Sequence, residues 1–311
     1  MKISVILVTY NRMGYLSRAL ESVLSQTFTD FELVLVNNGS TDDTAALCQS
    51  YATKERRIKL VTILQNNGAP QGRNAGLDAA TGEYITIVDD DDFCEPDLLS
   101  HLWGLACEYQ ADIALCGSWN DFGDHLEPYF IFDELMVLDK EKGLDELLKR
   151  EKYNVAPPTK LFRKQLFQDI RFIDGVLVDD IHVIYKVFAN ANKIAAQGRP
   201  LYRFTKHNSN MTGFIQNNRL SPRLLEEYLT MYQERAKYLS EKVPSITARA
   251  RYSQWSYMIS MCEKIKSYQC DDCEQQYAFM INELRQNSRE FTSSPFITDR
   301  EQKLMQEHLS L

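Results

Sequence analysis

Residues 84–97 read YITIVDDDDFCEPD, and the assignment of the fold turns on them. An apolar run rich in β-branched residues, Tyr84 to Val88, ends in four consecutive acids, Asp89, Asp90, Asp91 and Asp92. A short continuous apolar run bounded by polar residues is what a strand buried on both faces looks like. Like charges crowded at its end cost free energy unless water, cations or hydrogen-bond donors compensate them. A solvated acidic turn is one reading. The other is a cation site, since hard oxygen ligands suit magnesium or manganese and the cation lets a diphosphate sit beside carboxylates.

The flanking sequence repeats the motif of a short strand followed by a helix. Ile3 to Thr9, Phe31 to Val36, Ile58 to Leu64 and Ile113 to Leu115 read as further strands. Between them, Leu16, Ala19, Leu20, Val23 and Leu24 recur at helical spacing, and further helices are expected near Asn74 to Ala80 and over Leu98, Leu102 and Leu105. Ser40 with Asp43 three residues on resembles a capping box opening another short helix. This alternation predicts an α/β fold with a mostly parallel sheet covered by helices. Ligands in such sheets bind beyond the carboxyl ends of the strands. Three of those ends carry polar clusters: Thr9-Tyr10-Asn11, Asn37 to Ser40, and the four acids.

Residues 120 to 151 show no regular pattern. A second acidic pair, Asp179-Asp180, opens the helical pattern Ile181, Ile184, Tyr185 and Phe188. Beyond about Gly213 only helical signals remain, starting from Ser221-Pro222. The expected division is 1–213, with a nucleotide half over about 1–119 and an acceptor half over about 120–213, followed by a helical region over 214–311.

The chain has 311 residues, a formal net charge of −8 and a pI near 5.3, which argues against a nucleic-acid partner because phosphate neutralisation needs clustered Lys and Arg. The N-terminal apolar run is too short for a signal peptide, and no stretch is long enough to span a bilayer. A cytoplasmic protein is expected, with the inner face of a membrane left open. The seven cysteines fit a reducing compartment; Cys48, Cys107 and Cys116 fall in apolar patterns and are expected in the core. Cys270 and Cys273 form a CxxC pair, with Cys262 as a third candidate but no fourth zinc ligand. An EF-hand reading of the acids fails, because Cys94 stands where Gly is required and Ser100 where a bidentate Glu belongs. No P-loop and no GxGxxG motif is present.

Taken together, ISVILVTYNR (3–12), VNNGSTDDT (36–44), GRNAGLDAATGEYITIVDDDDFCEPDLL (72–99), KLFRKQLF (160–167) and VDDIHVIYKVF (178–188) resemble the nucleotide-sugar-dependent glycosyltransferases of family 2, which have the GT-A fold. The resemblance spans roughly residues 1 to 213. It implies that Asp89-x-Asp91 is the family's DxD motif, with Asp91 the more direct ligand of Mn2+ or Mg2+, Asp89 near the metal or the ribose, and Asp90 beside them on the nucleotide-sugar. Thr9, Tyr10 and Asn11 match the first nucleotide-binding strand end, and Arg73 the Arg that helps hold the nucleotide. Asp180 matches the catalytic base of an inverting transfer; a helix N-terminal acid satisfying the dipole is the plain alternative. His207, in YRFTKHNSN, stands where many members place a residue on the metal or the diphosphate. Lys160 is a candidate for diphosphate or acceptor contact, with packing as its alternative.

One departure concerns the base. The family often has Asp-Asp before Gly-Ser, whereas this chain has Asn37-Asn38; Asn38 can accept from a uracil edge through its carbonyl oxygen but can also donate. The partners implied are a nucleotide-sugar, with UDP favoured, and a saccharide or lipid-linked acceptor, in bacterial surface polysaccharide or oligosaccharide synthesis. Peripheral membrane contact and self-association through the C-terminal helices stay open. The competing readings are a non-catalytic nucleotide-binding protein of the same fold and a sugar-nucleotide nucleotidyltransferase, although the latter's Gly-rich basic triphosphate loop is missing from Thr9 to Tyr15.

Overall fold

The computed structural model describes residues 1–207 and 220–309. It divides into two compact units, Met1–Lys206 and His207–Leu311. The boundary expected after residue 213 falls outside the described residues.

The first unit is built on one ten-stranded sheet. Its parallel centre comprises β1 (Ile3–Thr9), β2 (Phe31–Asn38), β3 (Ile58–Ile63) and β4 (Tyr84–Asp89). Spatially these run β3-β2-β1-β4, with Thr9 opposite Asn37 and Val8 opposite Asp89. The three polar clusters therefore end at the same edge. β1, β2 and β4 are almost entirely buried, which is why they read as continuous apolar runs rather than alternating ones.

Helices α1 (Leu16–Leu24) and α4 (Leu98–Glu108) pack with Val5, Leu7, Leu33 and Val88 in one apolar core on one face of the sheet, against which α2 (Thr44–Lys54) also rests. Helix α3 (Ala69–Ala79) presses on β1 from the opposite face. A Cβ on Gly72 would lie 2.3 Å from Val8 Cγ1, and one on Gly76 2.4 Å from Ile6 Cγ2. Two glycines one helical turn apart thus let α3 lie flush on β1 and set Arg73 at the strand ends. Helix α3 begins five residues earlier than its apolar spacing suggests, with Pro70 in its first turn, where no N–H is needed. The capping expected from Ser40 is absent: α2 begins at Thr44, and the Ser40 hydroxyl accepts from the backbone N–H of Asn11 instead.

The second half of the unit holds more regular structure than its sequence pattern shows. The two-residue β5 (Phe93–Cys94), then β6 (Ile113–Asp121), β7 (Leu126–Tyr129), β8 (Leu135–Asp139), β9 (Lys160–Arg163) and β10 (Lys193–Thr205) complete the sheet, with α5 (Lys140–Lys149) and α6 (Asp180–Asn190). β9 is inserted antiparallel between β4 and β6, and β10 runs parallel to β6. β5 pairs with Tyr202 and Arg203 of β10. That pairing turns the chain back onto β10 immediately after the acidic run.

The described part of the second unit is helical: α7 (Pro222–Lys242), α8 (Thr247–Ser267), α9 (Glu274–Gln286), α10 (Ser288–Thr292) and α11 (Asp299–Leu309). Ser221 caps α7 by accepting from Leu224 N. Leu225, Trp255, Met258, Ile259, Met280 and Leu284 form its core, together with Cys262 and Cys273. Burial pushes the Cys262 thiol up to about 12, so these sulfurs are core atoms. Cys107, expected in the core of the first unit, is exposed. Among the described residues no helix is long and apolar enough to cross a membrane.

Candidate active site

The carboxyl edge of the sheet gathers most of the residues singled out from the sequence. At the end of β1, Asn11 adopts a left-handed conformation (φ 52°) and bonds across to the next turn: its side-chain oxygen accepts from Thr41 N at 2.9 Å and its amide donates to the Thr41 hydroxyl at 3.3 Å. Thr9 is buried beside Asp90, and Tyr10 is 40% exposed. At the end of β2, Asn37 accepts from Ser40 N, and the turn needs Gly39, whose φ is +78° and whose Cβ would lie 2.6 Å from Asn66 N.

The Asn38 amide is fully oriented. Its NH2 group donates to Asn66 Oδ1 at 3.1 Å and to the Gly68 carbonyl at 2.9 Å. Turning the amide over would set its oxygen against a carbonyl oxygen, so the donor and acceptor ends are fixed by chemistry. Its Oδ1 is buried and has no hydrogen-bond partner. The end of Asn38 left without a partner is thus an acceptor, as in an aspartate, and it is buried in the turn.

The four acids are not equivalent. Asp92 turns inward: it accepts from the Tyr202 hydroxyl at 2.8 Å and from Thr205 N at 2.7 Å, and the Tyr202 oxygen also accepts from Asp89 N at 3.2 Å. Burial, then Asp89 and Asp91, push its carboxyl well above the usual range. Asp90 is pushed up to about 7, first by burial, against the opposing pull of the Thr9 hydroxyl and Arg12. Arg12 reaches both Asp90, at 3.7 Å, and Asp91, at 3.8 Å. Asp89 is raised by burial and by Asp91, with Arg73 opposing at 3.4 Å.

Arg73 links this cluster to the second acidic pair. Its guanidinium donates to Asp179 as well as to Asp89 and lies over the Phe172 ring. Asp179 precedes α6 and Asp180 is its first residue. Burial, then repulsion from Asp179, push Asp180 up to about 6, with Arg73 pulling down. Asp179 Oδ2 and Asp180 Oδ1 are both sealed without a hydrogen-bond partner. Asp89, Asp179, Asp180 and Arg73 thus form one electrostatic group drawn from β4, α3 and the start of α6.

Lys160 is placed differently. It is 1% exposed within β9, its ammonium donating to the Ala156 carbonyl at 2.6 Å, so it offers no surface to a diphosphate. His207 is the first residue of the second unit. Arg12, Tyr202 and Thr205 were not legible as site residues. Arg12 sits inside a quoted motif, but nothing local gives it a role, and the partners that Tyr202 and Thr205 find lie more than a hundred residues away.

Among the described residues no three His, Cys, Asp or Glu side chains are set around one point as a ready metal site. The donor set nevertheless fits a magnesium- or manganese-like ion, which is commonly held by one or two carboxylates with substrate phosphates completing its shell. Burial first, and the neighbouring acids after it, raise the proton affinities of Asp89, Asp90 and Asp92.

The carboxyl edge of the mostly parallel sheet thus carries a strand-end acidic cluster, with oriented amides on one side and a second acidic pair on the other. The family model for glycosyl transferase family 2 matches residues 4–171, and the chain belongs to that family of enzymes. It is similar to glycosyltransferase GlyG of Streptococcus pneumoniae, 29% identical over 217 residues, covering 67% of this chain and 72% of the relative. It is also similar to glycosyltransferase GlyA of the same organism, 33% identical over 213 residues, covering 65% of this chain but only 30% of the relative. Its fold matches that of Staphylococcus aureus TarS 1–349, solved in complex with UDP-GlcNAc, with a TM-score of 0.64, 22% identity, and 85% and 82% of the two chains covered.

Proposed function

We propose that this glycosyltransferase is an inverting, metal-assisted enzyme that moves a sugar from a UDP-sugar to an acceptor hydroxyl. The observation that carries the reading is the electrostatic group at the sheet edge: Asp89 and Asp91 on one side, Asp180 on the other, and Arg73 between Asp89 and Asp179. Thr9, Tyr10, Asn11 and Asp90 would frame the nucleotide-sugar. The fixed acceptor end of Asn38 suits the N3–H of uracil, and the TarS complex with UDP-GlcNAc supports the same donor class. Bound Mn2+ or Mg2+, held by Asp91 and Asp89, would neutralise the leaving diphosphate.

Asp180 is suited to the proton. A carboxylate held near 6 is mostly ionised at neutral pH, yet basic enough to take a proton from a hydroxyl as it attacks. Attack on the face opposite the diphosphate inverts the anomeric centre. The acceptor we propose is a saccharide or lipid-linked oligosaccharide of the bacterial surface, glycosylated on the cytoplasmic side of the membrane.

A panel of nucleoside diphosphates and their sugars, with and without Mn2+, tests the donor by thermal stabilisation. With the donor identified, Asp180→Asn should lower transfer by about 10²–10⁴-fold, the usual contribution of a general base, while donor affinity stays near the parental value. Transfer at the parental rate would remove Asp180 from the mechanism.

A further inference from the structure

Asn74, the residue after Arg73 on α3, is bonded to a residue 98 positions further along the chain. Its NH2 donates to the Phe172 carbonyl at 2.9 Å and its oxygen accepts from Phe172 N at 2.9 Å. The amide thus meets both backbone polar groups of one residue, as a neighbouring strand would. Turning it over would set like against like at both ends, so its orientation is fixed. Gly72 and Gly76 lie against β1, and Asn74 and Asp78, each two residues on, stand about 200° round the helix on its far side. There Asp78 takes a second hold on the same segment, accepting from Arg171 at 3.1 Å. Phe172 lies in a stretch without helix or strand, between a 3-10 turn over Lys164–Phe167 and the start of α6 at Asp180.

What Asn74 holds in place is the ring beneath Arg73. Phe172 is buried and stacks on Phe167, and the Arg73 guanidinium lies 5.4 Å from its ring centre. A guanidinium at that distance is attracted to the ring, more strongly where water is excluded. The two terminal nitrogens of Arg73 go different ways, Nη1 to Asp179 and Nη2 to Asp89. A planar fork serves two carboxylates from two elements only while its plane is held. The carboxylates fix two corners of that plane, and the ring fixes its tilt. The ring in turn is fixed through its backbone, by the Asn74 amide.

We propose that Asn74 is a positioning residue: through the backbone and ring of Phe172 it sets the plane of the Arg73 guanidinium, and with it the spacing between Asp89 at the end of β4 and the Asp179-Asp180 pair. The proposal rests on the reading of this edge as the nucleotide-sugar site, where Arg73 bridges the acids of the metal side and of the base side. The rival role is a plain tether for the segment leading to α6. Asp78 shares that role through its exposed ion pair with Arg171, a kind of contact that contributes little by itself. The two roles differ in what reaches Arg73: a tether acts on the segment, whereas positioning acts on the guanidinium through one ring.

The first test is the arginine side-chain region of a proton–nitrogen NMR spectrum of the full chain without ligand, with Arg73 identified by its loss in Arg73→Lys. A guanidinium held by two carboxylates gives separate Nη–H signals, whereas one free to rotate averages them. The parental chain should show the separate set. Asn74→Ala, which puts the best helix former into α3, should average it, and so should Phe172→Leu, which keeps both backbone bonds but removes the ring; Asp78→Ala should not. Averaged signals already in the parental chain, or separate ones surviving in Asn74→Ala, overturn the proposal. Averaging in Asp78→Ala also overturns it, leaving Asn74 a tether. If Asn74→Ala does not fold, Phe172→Leu decides alone on the same terms. The second test is calorimetric titration with UDP and Mn2+. Asn74→Ala should weaken binding about five- to tenfold in the parental background but less than about twofold in Arg73→Lys, because residues acting through one network are not additive. No loss in the parental background, or an equal loss in both, overturns the route through Arg73. If UDP with Mn2+ does not bind the parental chain, the donor reading falls, and the side-chain spectra still decide the proposal.

Discussion

Replacing Tyr202 with Phe removes one oxygen and two hydrogen bonds from the base of the acidic cluster. That oxygen donates to Asp92 at 2.8 Å and accepts from Asp89 N at 3.2 Å, and the side chain is fully buried. The lost bond to a carboxyl is worth about 1.5–3 kcal/mol if charged and ~1 if neutral, and the orphaned Asp89 N–H costs about 1–3 kcal/mol more. Both belong to one network, so they do not add in full, and ~2–4 kcal/mol is expected. For a unit of this size that lowers the melting temperature by about 5–15 °C, at roughly 2–4 °C per kcal/mol. The assay is denaturant unfolding of the full chain, following the transition that Mn2+ with UDP stabilises, because the two units need not unfold together. Tyr109→Phe is the control: that hydroxyl is on the surface and bonds only Glu108, so a change within about 0.5 kcal/mol is expected. Metal-dependent UDP binding should weaken in Tyr202→Phe, since Asp89 and Asp91 lie within the same turn. A stability loss no larger than that of Tyr109→Phe would refute the claim that β10 sets the shape of the acidic run.

Two further predictions use other parts of the sheet. Glu32 gathers Ser4 Oγ at 2.6 Å, Thr81 N at 2.6 Å and Thr81 Oγ1 at 2.7 Å on one carboxylate oxygen, and although burial raises its proton affinity, these donors hold it below the ordinary 4.5. A depressed carboxylate contributes stability that is present above the unfolded-state value and is lost as pH falls through the folded one. Glu32→Gln should thus cost about 1–2 kcal/mol at pH 7, with the gap to the parental protein closing below pH 4.5, as read by unfolding midpoints across that range; a gap independent of pH would contradict it. Asn66→Ala removes one of the two acceptors that orient Asn38, so the preference for UDP over CDP should fall about five- to tenfold in calorimetric titration, equivalent to ~1 kcal/mol. An unchanged ratio would separate Asn38 from base recognition.

The sequence showed most plainly what is local and symmetric in burial. β1, β2 and β4 are buried on both faces, so each reads as an unbroken apolar run, and the polar residue that ends each run lies at the ligand edge. The second half of the sheet obeyed other constraints. β10 is interrupted by Gly198-Arg199-Pro200, and its pairing with β6 shifts register there, so neither a period of two nor a continuous apolar run appears. β7 is mostly exposed, and β8 alternates about a single buried Met136, so both lack the burial that makes a strand visible. Helix α5 did carry its signal in Leu144, Leu147 and Leu148, with Asp139 accepting from Lys142 N as its cap. An irregular stretch around it hid that signal.

The same distinction explains why four identical residues in a row could be ranked only in part. Alternation along a strand and the DxD spacing single out Asp89 and Asp91, and these are local properties. What separates Asp92 from Asp90 is a pair of donors on β10, Tyr202 and Thr205, lying 110 and 113 residues further along the chain. What marks Asp90 is its place beside Thr9 at the end of β1, since its side chain is no more buried than that of Asp91. These partners reach the acids because β5 folds back on β10 directly after them, a two-residue pairing too short to leave a sequence signal. Turning Asp92 inward satisfies its carboxyl with two hydrogen bonds from β10. The acidic run is therefore built from both directions: β4 delivers it to the sheet edge, and β10 decides which of its members remain to meet a ligand.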